Sequence, residues 1–400
     1  MSTLATLDLL SSELKGPQYW EALRELQRRG PLTWIEGHGG YWAATGYDVV
    51  LQMAQDWTTF SSAEGITIPR PGPDVVPYIV PLETDPPRQR VYRKQVNPEL
   101  TAKALSILEE PIRQVANELI DTFIDRGSCD IAKDFARRFP GTVFFKLIIR
   151  CPDEQFQLVE PIARDITFEP PDTEKWRNAI NGLREWADAT LKARAGDSSD
   201  SGGVVNAILH LNDNTAEELE TFADHELASG LQILVQGGIG TSASVIGVIV
   251  RELCEDRGLQ ERVRNDPTLI PRLIEECLRL EPPLPIVFRT TRRDVDVAGR
   301  QIKKGDKVGI FFAAANRDPT VFERPDELDL ERPHYRHLAF GAGVHRCIGS
   351  NLARLQIRVA IEQLLARLSS FWMPEGAIIE YSSLQARGPS SIPLEFTRTS

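Results

Sequence analysis

The sequence predicts a mainly α fold with minor β structure, in a single domain covering residues 1–400. Three observations lead there. Hydrophobic periodicity is helical from Pro98 to about Ala195. The stretch LASGLQILVQGGIGTSASVIGVIV, Leu227 to Val250, holds no charged residue and continues as amphipathic helix on both flanks. Strand-like runs are short and lie toward the two ends of the chain, and no repeat or composition shift marks a domain boundary.

In chain order, residues 1–15 read as an N-terminal tail and YWEALRELQRR, from Tyr19, as an amphipathic helix. LTWIEG and YWAATG are two short strands around His38, Gly39 and Gly40, and YDVVLQMAQ is a second helix. The proline-rich run 60–87 is much longer than most connections. Its apolar residues, among them Ile66, Ile68, Val75 and Val76, suit a lid better than a solvated linker. GDSSDSGG, 196–203, reads as a flexible tip, and Thr215 with Glu218 as a capping box that opens another helix. A break near Asp224 leads into the long helix. Then come the strands DVDVAG and KVGIFFA and a charged, non-periodic meander from Asp318 to His337. A last long helix follows Cys347 and runs to about Leu368, and a β-rich tail closes the chain.

Composition limits the partners. Lys and Arg total 46 against 57 Asp and Glu, a net charge of -11, which argues against nucleic acid because neutralising phosphates needs a basic face. Cys129, Cys151, Cys254, Cys277 and Cys347 fit no C-x-x-C, disulfide or zinc spacing, in keeping with a reducing cytoplasm. The N-terminus lacks the basic and apolar regions of a signal peptide. Leu227–Val250 has membrane-spanning length, yet Gln232, Gln236, Thr241, Ser242 and Ser244 interrupt it. It reads as the buried central helix of a cytoplasmic monomer that needs no membrane.

FGAGVHRCIG, Phe340 to Gly349, is the sharpest chemical signal. A cysteine stands just before a helix and just after a glycine-bearing turn. Unpaired N–H groups at a helix start favour an anion such as a thiolate, and Gly341 and Gly343 permit a turn that aims more of them at the sulfur. Gly349 would let a flat ligand lie close to the backbone. The plain alternative for a lone cysteine is a buried core residue at a helix start.

F-x-x-G-x-x-x-C-x-G, matched at Phe340, Gly343, Cys347 and Gly349, resembles the haem-binding signature of the cytochrome P450 superfamily. Glu276 and Arg279 are similar to its E-x-x-R helix motif, with Arg332 in the meander as the third member of the same ion-pair network. FRTTRRDVDVAGRQIKKGDKV, ANRDPTVF and DPPRQRVYRK resemble further segments in the family's order, from about Gly16 to Pro393. The resemblance implies a soluble bacterial P450 fold with its long central helix over haem b (iron protoporphyrin IX). Cys347 would be the axial thiolate on the iron, a donor that favours O–O cleavage. Arg93, Arg289 and His345 would meet the haem propionates. Gln89 stands where many members have histidine and would offer at best a neutral hydrogen bond.

The same resemblance places Gly237-Gly238-Ile239-Gly240-Thr241 on the helix above the iron, where small residues leave room for oxygen and substrate. Thr241 would be the catalytic hydroxyl; its alternative is a bond to its own helix carbonyl. Gly240 departs from the pattern, since the family usually has an acid there that serves proton delivery. Water held by Ser242, Ser244 or a substrate hydroxyl would then substitute. Peroxide as the oxidant, or poorly coupled turnover with reductase, are the other consequences. Ile233, Gln236, Gly237, Val287, Phe288, Ile66, Ile68 and the tail turn at Leu384 and Gln385 would line an apolar pocket, with Gln236 as polar anchor or as a helix-to-helix bond.

The implied activity is monooxygenation, hydroxylation or oxidative dealkylation, of a small or mid-sized hydrophobic substrate. The alternatives are a peroxide-driven peroxygenase and a non-catalytic haem-thiolate binding or sensing protein. The chain ends soon after the β tail, so electrons from NAD(P)H are expected through a separate ferredoxin and ferredoxin reductase. Arg88, Arg90, Lys94, Arg346 and Arg354 would form the basic patch that receives the acidic ferredoxin.

Overall fold

The computed structural model describes all residues except 1–7, 12, 69, 71–78, 169–172, 197–201, 215–218, 383–385 and 400. The lid's Val75 and Val76, the capping pair Thr215 and Glu218, and the tail residues Leu384 and Gln385 therefore lie outside the described residues. The chain opens with α1 (Gly16–Arg28), the hairpin strands β1 (Leu32–Ile35) and β2 (Tyr41–Ala44), α2 (Tyr47–Gln55) and β3 (Phe60–Ser61). The helical body follows: α3 (Arg88–Val96), α4 (Ala102–Leu105), α5 (Glu109–Asp121), then β4 (Ser128–Asp130) and α6 (Phe139–Val143). It continues through α7 (Asp153–Phe168), α8 (Glu174–Ala195), α9 (Gly203–Leu209), α10 (Asp224–Glu255), α11 (Arg257–Asn265) and α12 (Ile270–Leu280). Next come β5 (Val287–Thr291), β6 (Val295–Val297), β7 (Arg300–Ile302), β8 (Lys307–Ile310) and α13 (Phe312–Ala315). The chain closes with α14 (Ser350–Arg367), β9 (Leu368–Trp372), β10 (Glu380–Ser382), β11 (Gly388–Ser391) and β12 (Pro393–Arg398).

Two differences from the sequence reading have a shared cause. Helix does not run unbroken to Ala195: β4 pairs antiparallel with β12, Cys129 opposite Leu394, a partner far away in the chain. Likewise KVGIFFA is strand only as far as Ile310, and Phe312–Ala315 turns into a short helix. The main sheet has the order β1-β2-β8-β5-β3, so the first hairpin is joined to strands from the last third of the chain.

α10 runs through the largest apolar cluster, where Leu231, Val235, Ile239, Ile246 and Ile249 are all at most 2% exposed. It has the length and composition of a membrane span, but 72% of its most apolar window is buried inside the protein. Its start is fixed by Glu226, whose carboxylate accepts the Ala223 N–H at 3.0 Å. Ala223 has no side-chain oxygen to return the bond, so only half of a capping box is present.

The end of α12 holds the most buried ion cluster. Glu276 and Arg279 have no exposed side-chain surface, and Arg332 is 5% exposed. Arg279 grips Glu276 through Nε at 2.8 Å and Nη2 at 3.0 Å, and Arg332 Nε reaches the same carboxylate at 3.0 Å. The guanidinium groups spend their other protons on the carbonyls of Asn316, Glu323, Pro325 and Glu327. The three residues named from the sequence thus fasten the meander to α12. Removing the shared carboxylate would strand two buried cations, a loss of about 3–5 kcal/mol. Glu276→Ala is expected to lower the guanidinium chloride midpoint accordingly; an unchanged midpoint would show the network to be dispensable.

Candidate active site

The cysteine loop is built by backbone geometry. Gly341 and Gly343 both adopt left-handed φ, +67° and +68°, which glycine tolerates without strain. A Cβ on Gly343 would also collide with the Ala54 carbonyl at the end of α2. The turn closes when the Cys347 N–H donates to the Phe340 carbonyl at 2.7 Å. Gly349 caps α14 and donates its amide to the Cys347 sulfur. Burial nevertheless pushes the thiol upward, outweighing the Gly349 amide and Arg93, Arg346 and Arg354. Cys347 keeps accessible surface while protein atoms crowd its sulfur. The two facts agree if that surface lines a hollow.

Behind the loop stands a clamp that the sequence did not reveal. Arg354 on α14 holds Glu275 through Nε at 2.6 Å and Nη2 at 2.8 Å, and its guanidinium lies 4.3 Å over the Phe340 ring. His337 Nε2 meets Glu275 Oε2, the oxygen that Arg354 Nη2 also holds, at 3.0 Å. Burial would raise this carboxyl, but the Arg354 and His337 bonds prevail and hold it at about 2. E-E-x-x-R in α12 thus has two adjacent acids on separate duties. No sequence spacing marks the first, because its partners come from 62 and 79 residues away.

Beside the cysteine the positive charge is not balanced. Arg289 is 7% exposed, and the only hydrogen bond of its guanidinium among the described residues is to the neighbouring Phe288 carbonyl. Burial drives its pKa down to about 10 against the pull of Asp85. Arg93, half-buried, is lowered by burial in spite of Cys347 and Tyr92. Burial, helped by Arg289 and Arg93, pushes His345 to about 3. Two arginines and a histidine therefore share one electrostatic neighbourhood, and neither arginine has an ion-pair partner among the described residues. Gln89 holds the loop itself. Its Nε2 donates one proton to the Val344 carbonyl and its Oε1 is buried without a partner, so it ties α3 to the cysteine loop and keeps one N–H for a neutral hydrogen bond.

On α10 one stripe stays accessible while the rest is packed. Ile233, Gln236 and Thr241 are half-buried and Gly237 is exposed, whereas every residue from Ser242 to Val250 is buried. The two adjacent glycines do different work. A Cβ on Gly237 would meet nothing within 4 Å, whereas one on Gly238 would lie 2.6 Å from the Phe144 ring. Gly238 is needed for close packing against a neighbouring helical segment, and Gly237 alone borders open space. Thr241 Oγ1 donates to the Gly237 carbonyl at 2.8 Å, which leaves its lone pairs as acceptors. Gln236 has no hydrogen-bond partner among the described residues, so the helix-to-helix alternative does not hold.

Other expected site residues divide. Ser242 is turned to the opposite side, accepting from Gln356 of α14 at 2.6 Å, and is no candidate for the stripe. Ser244 donates to the Gly240 carbonyl at 3.0 Å and sits against Gly388 of β11. Alternation in β5 puts Val287 on the face of Arg289, but Phe288 packs into the core against Tyr41, ring centroids 5.3 Å apart, and leaves the pocket. Ile66 bonds through its carbonyl to the Phe288 N–H, while Ile68 packs against the cluster around α1. The basic patch shrinks. Arg88 is held by Glu226 at 2.8 Å and Arg354 by Glu275. Arg90, Lys94 and Arg346 remain exposed, with no ion pair among the described residues.

These residues fit haem b. Gly349 and Gly237 each open onto empty space, as a flat ligand requires. Arg93 and Arg289 lack the two carboxylates that propionates would bring, and Cys347 supplies a sulfur donor. α3 and α14 both touch α10, through Tyr92 Oη on the Gly230 carbonyl at 2.8 Å and through Gln356 on Ser242. A cleft of about 340 Å³ between α4, α12 and α14 adjoins the clamp, with Glu275 and Arg354 in its wall.

Comparison with known proteins gives one answer. A family model described as Cytochrome P450 matches residues 144–384. The chain is 28% identical to a steroid C26-monooxygenase of Mycolicibacterium smegmatis, over 94% of this chain and 92% of that protein. It is 30% identical to the putative cytochrome P450 YjiB of Bacillus subtilis, over 87% and 86%. Among solved structures, CYP101C1 superposes with a TM-score of 0.85 at 25% identity, covering 97% of this chain and 96% of that one. HmtN, a post-tailoring hydroxylase involved in himastatin biosynthesis, gives 0.81 at 28%, covering 95% and 96%.

Proposed function

The chain belongs to the cytochrome P450 family and is an oxidoreductase of its monooxygenase type; within that class we propose that it inserts one atom of dioxygen into a C–H bond of a small or mid-sized hydrophobic substrate, by hydroxylation or oxidative dealkylation. The observation that carries this reading is the residue set itself: a sulfur donor beside two arginines that have no ion-pair partner among the described residues, with an open glycine face on α10. Haem bound there supplies the oxygen activation and electron storage that side chains lack. Cys347 holds it from one side, with the Gly349 amide and the Arg354–Phe340 clamp setting the sulfur's position. Arg93 and Arg289 would neutralise its acidic edge, and His345 would offer it a hydrogen bond.

On the other side, Ile233, Gly237 and Val287 offer apolar walls, and the free amide of Gln236 is the polar anchor for a substrate hydroxyl, carbonyl or amide. That some relatives are steroid C26-monooxygenases agrees with a hydrophobic substrate. Thr241, its proton engaged by Gly237, accepts a hydrogen bond from water or substrate and so positions it. Gly240 provides no carboxylate for that path, so water beside Gln236 and Thr241 takes the acid's place. This absence favours one second reading, use of peroxide, which arrives already reduced and protonated. Electrons for the dioxygen reaction come from NAD(P)H through a ferredoxin that docks on Arg90, Lys94 and Arg346, exposed near the cysteine loop.

Three measurements test these statements. Cys347→Ala should abolish the red-shifted Soret band of the reduced carbon monoxide adduct, and a band that survived would refute the sulfur assignment. Gly240→Asp should raise severalfold the fraction of NAD(P)H consumption that ends in product, while leaving peroxide-driven turnover unchanged; unchanged coupling would remove the proton path as the limitation. Reversing Lys94 and Arg346 to Glu should raise the ferredoxin concentration for half-maximal rate by about tenfold at low salt, with the difference shrinking as salt is added. Identical titrations would dismiss the patch.

A further inference from the structure

Glu83 and Arg70 form a buried ion pair inside the lid segment that no step above uses. The Glu83 side chain is 3% exposed and that of Arg70 17%. Each carboxylate oxygen takes one main-chain and one guanidinium proton. Oε1 accepts from the Ile66 N–H and Arg70 Nε, both at 3.3 Å, and Oε2 from the Ile79 N–H at 3.1 Å and Arg70 Nη2 at 2.8 Å. The arginine stem lies over Gly65, whose φ is +103° and where a Cβ would come within 2.5 Å of Arg70 Cδ. Glu83 thus ties the outgoing limb of the lid, at Ile66 and Arg70, to the returning limb at Ile79. The returning limb is itself fastened to α10, where the Val80 N–H donates to Ser229 Oγ at 3.3 Å.

Ile66 is where this knot meets the active site. Its N–H is spent on Glu83 and its carbonyl accepts from the Phe288 N–H at 2.9 Å, so its main chain is held from both sides. Phe288 stands between Val287 and Arg289 on β5. The Ile66 side chain is half-buried, yet among the described residues it packs against none of the three apolar clusters, and the same is true of Ile233 on α10. An aliphatic side chain withdrawn from solvent without a place in the core borders a space left for another molecule. Ile68, two residues on, packs into the cluster around α1 instead.

We propose that Glu83 is a positioning residue for substrate selection. By fixing the Ile66 main chain between the α10-anchored limb and β5, it sets how far the Ile66 side chain reaches into the substrate space, and so which apolar groups fit beside α10. A carboxylate suits this duty because its two oxygens offer acceptors to two limbs at once, while the charge of Arg70 allows it to be buried. Without it, only the Phe288 bond would place Ile66. This rests on the reading of the chain as a haem-binding oxygenase with Ile66 in its pocket wall, and the experiment separates these.

The holoprotein is titrated with imidazole and with 4-phenylimidazole, which both coordinate haem iron and differ in the apolar group behind the coordinating ring. The Soret shift gives a dissociation constant for each probe in wild type, Ile66→Ala, Glu83→Ala and the double variant. Ile66→Ala should weaken 4-phenylimidazole about fourfold, the worth of roughly one buried methylene, and leave imidazole unchanged. Glu83→Ala should weaken only the larger probe, by about threefold, as most of the same contact is lost, and should add nothing in the Ile66→Ala background. Glu83→Leu combined with Arg70→Met removes both charges without stranding either. It should give the same selective loss, and it serves if Glu83→Ala does not take up haem. Equal weakening of both probes by Glu83→Ala would mean general damage to the haem site and overturn the proposal, as would an unchanged 4-phenylimidazole constant or losses that add in the double variant. If Ile66→Ala alone moves neither probe, Ile66 is no pocket wall and Glu83 loses its role with it. A wild type that gives no Soret shift with imidazole would instead refute the haem reading.

Discussion

A single carboxylate, Glu276, holds two guanidinium groups in the interior, and the approach to the active site hangs from it. Each arginine has more protons than one carboxylate can accept, so the remainder are satisfied by main-chain carbonyls between Asn316 and Glu327. A segment without helical or strand periodicity thereby acquires a fixed path. That path ends at His337 and Leu338, whose bonds to Glu275 and Asn316 set the start of the cysteine loop. The ion cluster stabilises less by attraction between charges, which desolvation largely cancels, than by the backbone order it imposes.

The cysteine loop inherits this order and adds a charge problem of its own. Burial opposes both the thiolate of Cys347 and the cation of Arg289, yet each stands close to groups that favour it. An interior that depresses arginine pKa and keeps a histidine neutral is short of negative charge. A dianionic ligand with a metal centre would relieve both strains at once.

α10 shows how one helix serves two opposed demands. As the axis of the core it must pack on nearly all sides, and Gly238 against Phe144 is one of its closest contacts. As a wall of the site it must leave a stripe uncovered, and Gly237 and Thr241 provide it. The glycine cluster is therefore not one feature but two, facing different neighbours. Ser242, adjacent to Thr241, belongs to the packed side, where it is bound by Gln356.

Local pattern was enough to recognise α1, α2, α10 and α14, because each needs only its own periodicity and termini. The structure brings together Glu276, Arg279 and Arg332, which were named through the resemblance to a family's ordered motifs. The pairing of β4 with β12, the engagement of Arg88 by Glu226 and the Ser62–His345 contact were not legible there. In each case the partner lies more than a hundred residues away, and no spacing rule reaches that far. Phe288 was misjudged for the same reason: its position was right for the site, but its orientation depended on Tyr41. Sequence by itself determined which chemistry this chain carries, since that resides in residue identities at short spacing. Only the tertiary structure decided which side chains face the hollow and which are bound elsewhere, because burial and hydrogen-bond competition are settled between distant segments.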